Sequence, residues 1–434
     1  MTYPEALQYL NSFINYEKKS DYEYKKSFKL EKMCALTEAL GLPQEGIKSI
    51  HIAGTKGKGS TAAITQSILK NAGLKVGLYT SPHLVSFRER IRINDSLISE
   101  DETCRILERI RQAVEGMKDG DFSFFEIYTA LAFLYFKEKK LDFAIYETGL
   151  GGRLDATNVV RPIVSVITPI SYEHTMLLGN TLKDIAAEKA GIIKPNSICI
   201  SGPQEREALD VIEDACERLG NRLVLVGRDI LFEELSSNDE KEIFNVFGLA
   251  TEYPMLESSL LGTHQVVNTA AAIGIIDSLR FHGIAISQDA VRRGVKEARW
   301  DGRLEIVSKR PYVILDGAQN RASANALARA IKKIFKYKKL ILVLGVSKDK
   351  DIEGILKEML SLKPEVVLTK SKVAERALEP RTIRKLIPRR NPILTSTVEA
   401  ALNEARARAD AHDLILVTGS LFVVGEAKEI YERN

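Results

Sequence analysis

The densest chemistry in this sequence lies in one run, His51-Ile52-Ala53-Gly54-Thr55-Lys56-Gly57-Lys58-Gly59-Ser60-Thr61. A β-branched, apolar stretch from Ile47 to Ala53 leads into it. A helical pattern carrying Ala62, Ala63, Ile64, Ile68 and Leu69 leaves it. Strand, glycine loop and helix form the context of a phosphate-binding loop. Glycines let successive backbone N–H groups converge on one anion, and the helix N-terminus adds positive potential. Lys58 would neutralise phosphate charge, and Ser60 or Thr61 would reach phosphate oxygens or a metal. Gly59 separates Lys58 from Ser60, so the strict Walker spacing is not kept. A glycine-rich turn without a ligand is the alternative reading.

Other polar residues stand where strands end, which is where open α/β sheets place their ligands. Glu147 closes the apolar run Leu141 to Tyr146, either as a metal-holding carboxylate or as a capping or surface residue. The glycines of Gly149-Leu150-Gly151-Gly152 after it suit close backbone approach to a ligand. His174 follows the strand Ile163 to Thr168 across a short loop, as a ligand or as a structural hydrogen-bonding residue. With Ser81 it offers a second and third strand end for a metal. Magnesium prefers oxygen donors and keeps waters, so an imidazole ligand would be unusual.

These residues need elements to hold them. The strands Ile47 to Ala53, Lys75 to Tyr79, Leu141 to Tyr146, Ile163 to Thr168, Ser197 to Ser201 and Arg222 to Val226 alternate with helical patterns. The helical patterns fall at Asp101 to Met117, Phe125 to Phe136, Leu182 to Ile193 and Thr263 to Leu279. That alternation predicts βαβ units and a mainly parallel sheet. Tyr3 to Leu42 reads as helical and Phe87 to Asn94 as a short strand. Asp229 to Pro254 is irregular and polar, with strands outside the main sheet. The alternation restarts after Arg299-Trp300-Asp301-Gly302-Arg303, with strands at Tyr312 to Leu315, Leu340 to Leu344, Val366 to Thr369 and Leu414 to Thr418. The expected fold class is therefore α/β: a phosphate-loop domain over residues 1–296, then a smaller Rossmann-like domain over 297–434.

At 434 residues and 45% hydrophobic composition, the chain can bury more than one full core. A net charge of +4 with 28% charged residues is an ordinary soluble surface and carries no nucleic-acid arm. Four scattered cysteines without a CxxC pair fit reduced thiols rather than a disulfide frame or zinc site. The start has no basic-then-apolar signal, and no apolar run approaches membrane-spanning length. The expected setting is cytoplasmic, as a monomer acting on small molecules.

Several motifs in series resemble one family. Gly54 to Ser60 is similar to the ATP loop of the Mur ligase superfamily. Thr80-Ser81-Pro82-His83-Leu84, Phe124-Phe125-Glu126, Glu147 with Gly149 to Asn158, and Glu188-Lys189-Ala190-Gly191 resemble its folylpolyglutamate synthase and dihydrofolate synthase branch. Gly262-Thr263-His264-Gln265 to Asn268, Trp300 with Gly302-Arg303, Leu315-Asp316-Gly317-Ala318, and Gly419-Ser420-Leu421-Phe422 continue the match in order along the chain.

The resemblance implies ATP and Mg2+ as cofactors, and L-glutamate with dihydropteroate or a reduced folate as substrates. It implies that Gly57, Lys58, Gly59, Ser60 and Thr61 hold ATP phosphates, with Asn268, Arg303 and Asp316 contributing to ATP. Ser81, Glu147 and His174 match magnesium ligands. Lys189 matches a lysine carried as a carbamate, its alternative being a plain helix-surface cation. Phe124, Phe125, Asp155 and Ser420 fall in substrate-contacting segments, and Lys29 to Lys32 aligns with a further pteroate-contacting stretch. Lys58, Lys189, His174 and Arg303 are the expected catalytic set. Gln319 stands where the family usually has histidine, Arg321 where it has proline, and Glu173 where it has aspartate. A glutamine keeps hydrogen bonding but cannot hold a proton. The expected reaction is amide ligation through an acyl phosphate. Another Mur-type amino-acid ligase and a non-enzymatic nucleotide-binding relative are the alternatives.

Overall fold

The computed structural model describes residues 1–17, 28–117, 121–388 and 391–433. An eight-stranded sheet runs in the order β4-β3-β2-β5-β1-β6-β7-β8. Its strands are β1 (Lys48–Ala53), β2 (Val76–Tyr79), β3 (Ile91–Ile93), β4 (Ser96–Leu97), β5 (Phe143–Glu147), β6 (Val164–Ile167), β7 (Ile198–Ser201) and β8 (Leu223–Leu225). All neighbours are parallel except β3 on β2 and β4 on β3. In β1 every residue after Lys48 is buried, as a strand covered on both faces requires. One face packs on Ile64, Ile68 and the apolar helix Thr263–Ser278. The other packs on Phe133, Phe136 and neighbours of the helix Phe124–Lys139 and on Ile185 and Ile192.

β1 is the pivot. It lies between β5 and β6, so the segments leaving all three emerge side by side at one sheet edge. Residues 54–57 follow β1, Glu147 ends β5, and the turn to His174 follows β6. This is the crevice in which doubly wound sheets bind ligands.

Residues of the irregular region form a separate antiparallel sheet: β9 (Leu231–Ser237), β10 (Glu242–Phe247) and β11 (Glu252–Ser258). A six-stranded sheet follows in the order β12-β13-β17-β14-β15-β16. Its strands are β12 (Glu305–Lys309), β13 (Tyr312–Leu315), β14 (Leu340–Leu344), β15 (Glu365–Leu368), β16 (Ile393–Leu394) and β17 (Leu414–Thr418). Only β12 is antiparallel to its neighbour. The fold is thus the expected pair of α/β domains, the second one smaller.

Three local expectations are corrected. Phe87–Arg90 is a 3-10 turn held by a Ser86/Glu89 capping box, and only Ile91–Ile93 is extended. Among the described residues the initial helical stretch holds the helices Tyr3–Ser12 and Leu30–Ala39, with Phe13 leaving the first in extended conformation. The rest of that expectation, residues 18–27, lies outside the described residues. The helix read as Leu182 to Ile193 ends at Ala190, with Gly191 as its C-cap packed against Arg153.

The phosphate-loop helix Lys58–Asn71 is seated by a glycine on its neighbour, the helix Gln288–Glu297. A Cβ on Gly294 would press into the Ile68 backbone, 2.6 Å from its nitrogen. Gly294→Ala should therefore force the helices apart and destabilise the fold by about 1–3 kcal/mol. Urea unfolding measures this, and an unchanged midpoint would show that the contact is not limiting.

Candidate active site

The phosphate loop is shaped by what crowds it. Gly54 and Gly57 have φ of 140° and 86°, conformations that side chains rarely adopt. A Cβ at Gly57 would meet the Asn268 carboxamide, and one at Gly54 would strike Thr168 beyond β6. The extra glycine of the motif also has a cause. A Cβ on Gly59 would lie 2.8–2.9 Å from the Trp300 ring. Trp300 comes from the interdomain connection and stacks under Arg92, 5.4 Å from its centroid. The indole thus fills the space that a side chain at position 59 would need.

Lys58 and Glu147 face each other across the loop, Nζ to Oε1 at 3.8 Å. The Ser81 N–H donates to Glu147 Oε2 at 3.3 Å. Glu147 is 5% exposed, and burial raises its carboxyl above the usual range, against Lys58, the Ser81 N–H and Arg303. The Arg303 field at Glu147 brings the interdomain arginine to the phosphate loop.

Lys189 lies beneath the loop rather than on the helix surface. Its Nζ donates to Gly54 O at 2.9 Å, and it is 5% exposed. Burial first, then Lys58, lowers its ammonium to about 7, while Glu173 and Asp155 oppose the shift. An amine with that value is substantially neutral near physiological pH and therefore nucleophilic. His174 begins the short helix Thr175–Leu178 with φ 53°. Burial lowers it to about 4, helped by Lys350 and Lys189 and opposed by Glu173, so its ring is neutral with a lone pair to offer.

From the second domain, the turn after β14 reaches the same crevice. Lys350 Nζ pairs with Glu173 Oε1 at 3.1 Å, with side chains 6% and 10% exposed. Burial opposes ionisation of Glu173, yet Lys350, His174 and Lys58 outweigh it and hold the carboxyl down to about 2. Asp349 pairs with Arg376, which donates to Glu17 O at 2.6 Å, and Glu17 carries a bidentate pair with buried Arg90. Sequence reasoning gave none of these five a role. The run Lys348-Asp349-Lys350-Asp351, in the turn that follows a buried strand, was the available signal.

Asp316 follows β13 directly and is buried, accepting from Leu304 N and Ala318 N at 2.9 Å each. Burial raises its carboxyl, and Arg303 counters this. Ser420 lies one residue beyond Gly419, whose N–H donates to Ala318 O at 3.1 Å. Asn268 donates to Gln265 Oε1 at 2.9 Å. Ser60 and Thr61 are buried at the start of the loop helix, and Thr61 Oγ1 lacks a partner among the described residues. The Gln319 N–H donates to Ser323 Oγ at 3.1 Å, at the start of the helix Arg321–Ile334.

Two residues of the substrate-contacting segments have partners within the fold. The Asp155 oxygens accept from Gly149 N, Leu150 N, Thr157 N and Thr157 Oγ1 at 2.8, 3.0, 3.0 and 2.5 Å. Asp155 therefore folds the glycine loop after β5. Phe124 is fully buried, stacked with Tyr128 and under Arg90, and lies within the core rather than at its surface. Phe125 stays beside the glycine loop, since a Cβ on Gly149 would lie 2.7 Å from its ring. Lys32 donates to Asp121 O at 2.7 Å, at the mouth of a polar cavity of about 200 Å³ with Tyr16, Ser123 and Glu126 in its wall.

No group of three His, Cys, Asp or Glu suited to a metal occurs among the described residues. The donors that do exist fit magnesium. Glu147 is a buried carboxylate held by one long ion pair and one N–H, beside a site for phosphate oxygens, and this cation commonly takes one or two carboxylates plus phosphates and waters.

The family models that match are the Mur ligase middle domain, over residues 52–276, and the Mur ligase glutamate ligase domain, over residues 302–421. A dihydrofolate synthase/folylpolyglutamate synthase of Bacillus subtilis is 34% identical over 414 residues, 92% of this chain and 94% of that one. Among solved structures, Mycobacterium tuberculosis folylpolyglutamate synthase complexed with ADP has a TM-score of 0.89 at 30% identity, covering 100% of this chain and 98% of that one. Escherichia coli FolC in complex with DHPP and ADP has a TM-score of 0.89 at 31% identity, with coverage of 100% and 98%.

The interdomain pair sets a pH dependence. Glu173 ionises near 2 in the fold against an ordinary 4.5. Its stabilisation is therefore complete above about pH 4.5 and is lost as pH falls through about 2. Lys350→Met leaves a buried carboxylate unpaired and should cost about 3 kcal/mol at neutral pH. That deficit should shrink between pH 4.5 and 2 in urea titrations; a deficit independent of pH would assign the loss to packing.

Proposed function

The chain belongs to the Mur ligase family, in its folylpolyglutamate synthase/dihydrofolate synthase branch, and we propose that it joins L-glutamate to dihydropteroate, to folylpolyglutamate tails, or to both. It is an ATP-dependent glutamate ligase. One observation carries the mechanism: Lys58, Glu147 and Lys189 meet at the end of β1, in a buried crevice that Arg303 and Lys350 also enter.

A carboxylate does not condense with an amine in water, because oxide is not a viable leaving group. In the proposed reaction a carboxylate oxygen of the pteroyl substrate attacks the γ-phosphorus of ATP, and ADP departs. The α-amino nitrogen of glutamate then attacks the acyl carbon, inorganic phosphate departs, and one proton is released. Lys58 and the loop N–H groups of Gly57 to Thr61 bind and offset the charge on the phosphates. Glu147, with Ser81 and His174, would hold Mg2+, which when bound supplies further positive charge at the transferring phosphoryl group. Arg303 aligns the γ-phosphate from the interdomain connection, and Asn268 and Asp316 place the nucleotide from either side. Phe125, Ser420 and the loop that Asp155 folds shape the substrate path.

Lys189 takes up carbon dioxide on its neutral amine, as its lowered basicity allows, loses one proton to solvent and becomes a carbamate anion facing the crevice. Residues 1–296 then form the ATP- and folate-binding unit, and 297–434 contribute glutamate and ATP contacts. Closure of the two excludes water from the acyl phosphate. The enzyme works as a cytoplasmic monomer in this reading.

Phosphate release from ATP should require both a pteroyl acceptor and glutamate. Product analysis with dihydropteroate and tetrahydrofolate offered separately assigns the acceptor. Release with neither, or none with all substrates present, would overturn the ligase. Arg303→Ala should lower kcat by roughly a hundredfold with the fold intact, and unchanged turnover would remove it from the mechanism. Lys189→Ala should lose activity that a small carboxylate restores. Full activity of that variant would exclude the carbamate.

A further inference from the structure

Two polar atoms on one flank of the phosphate loop are buried and have no hydrogen-bond partner among the described residues: Lys56 Nζ and Ser171 Oγ. The segments carrying them are tied together. Lys56 N–H donates to Pro169 O at 3.3 Å, Thr55 Oγ1 donates to Ser171 O at 3.2 Å, and Ser171 N–H donates to Thr55 Oγ1 at 3.1 Å. Lys58 turns the other way, towards Glu147 on β5. The loop's two lysines therefore serve opposite flanks, and of the two Lys58 has an ion-pair partner while Lys56 has none among the described residues.

Glu173 is the acid whose field reaches Lys56, and it is already taken by Lys350 at 3.1 Å. Burial lowers Lys56 to about 8, so the ammonium still carries its proton at neutral pH. A buried ammonium and a buried hydroxyl on segments tied to each other, both without acceptors, are unusual in a native fold. They are two donors waiting for one oxyanion.

We propose that Lys56 and Ser171 form an oxyanion pocket on the β6 flank of the phosphate loop, distinct from the Lys58 flank. The proposal rests on the ligase reading, which supplies two oxyanions at this edge. One is the phosphoryl group that leaves as inorganic phosphate, and the other is a carboxylate of the entering glutamate. Both are met by the same chemistry, an ammonium and a hydroxyl that donate without transferring a proton. The flank faces the second domain through Glu173 and Lys350, so the pocket lies where an amino acid enters or phosphate exits between domains.

The test uses the full-length protein with Lys56→Met, Lys56→Arg and Ser171→Ala, assayed with ATP, tetrahydrofolate and glutamate. Removing a charged hydrogen bond should shift one constant by about tenfold or more. If the occupant is phosphate, Lys56→Met weakens product inhibition by inorganic phosphate and leaves the glutamate KM in place. If it is the carboxylate, the glutamate KM rises and phosphate inhibition stays. Ser171→Ala should move the same constant in the same direction by less, and Lys56→Arg should restore part of it.

Calorimetric titration of ADP-loaded protein with inorganic phosphate and with glutamate repeats the comparison without turnover. Should Lys56→Met fail to fold, Ser171→Ala carries the test. If neither constant and neither affinity changes, or if the two residues move different constants, the pocket is overturned. A wild-type chain that consumes no ATP would defeat the ligase reading, while weaker phosphate or glutamate binding by the variants would still uphold the pocket.

Discussion

The arrangement depends on buried positive charge. Lys58, Lys189 and Lys350 converge on one crevice, where Glu147, Glu173, Asp349 and Asp155 act on them. Desolvation disfavours every one of these charges, and the local shifts record the contest. Glu147 and Lys189 move towards neutrality, because burial outweighs their opposite charges and Lys58 repels Lys189. Glu173 moves the other way, because Lys350 touches it. A polyanionic nucleotide relieves the excess that the protein does not relieve by itself, so the free site is electrostatically prepared for its ligand.

That concentration of charge is possible only because β1 is central. Its neighbours β5 and β6 start their outgoing turns at the same height, so a lysine loop, a carboxylate and a histidine turn meet without long connections. The helix Leu182–Ala190 then delivers Lys189 from below to the carbonyl of Gly54. Close approach costs side chains. Gly54, Gly57 and Gly59 each stand where a Cβ would collide with Thr168, Asn268 or Trp300.

Much of this was legible in the chain because it is local. The run into Gly54, the apolar β5 ending at Glu147, and the alternation of strands with helices are patterns of neighbours in sequence. The irregular stretch after Asp229 was correctly set apart from the main sheet. What stayed hidden is non-local. Nothing near Asp155 announces that its oxygens will be filled by Gly149, Leu150 and Thr157, and nothing near Phe124 announces Arg90 above it. Short edge strands such as β16 carry too few residues for a period to emerge. The Glu173–Lys350 pair joins residues 177 positions apart and could not be read from either segment alone.

The polar run from Arg90 through Glu17, whose backbone carbonyl accepts from Arg376, and on through Asp349 and Lys350 to Glu173 ties the amino-terminal segment to both domains. Drift at one link leaves a sealed charge stranded at the next. Loosening the opening segment, whose helix ends at Ser12, would therefore unseat charges belonging to both domains at once.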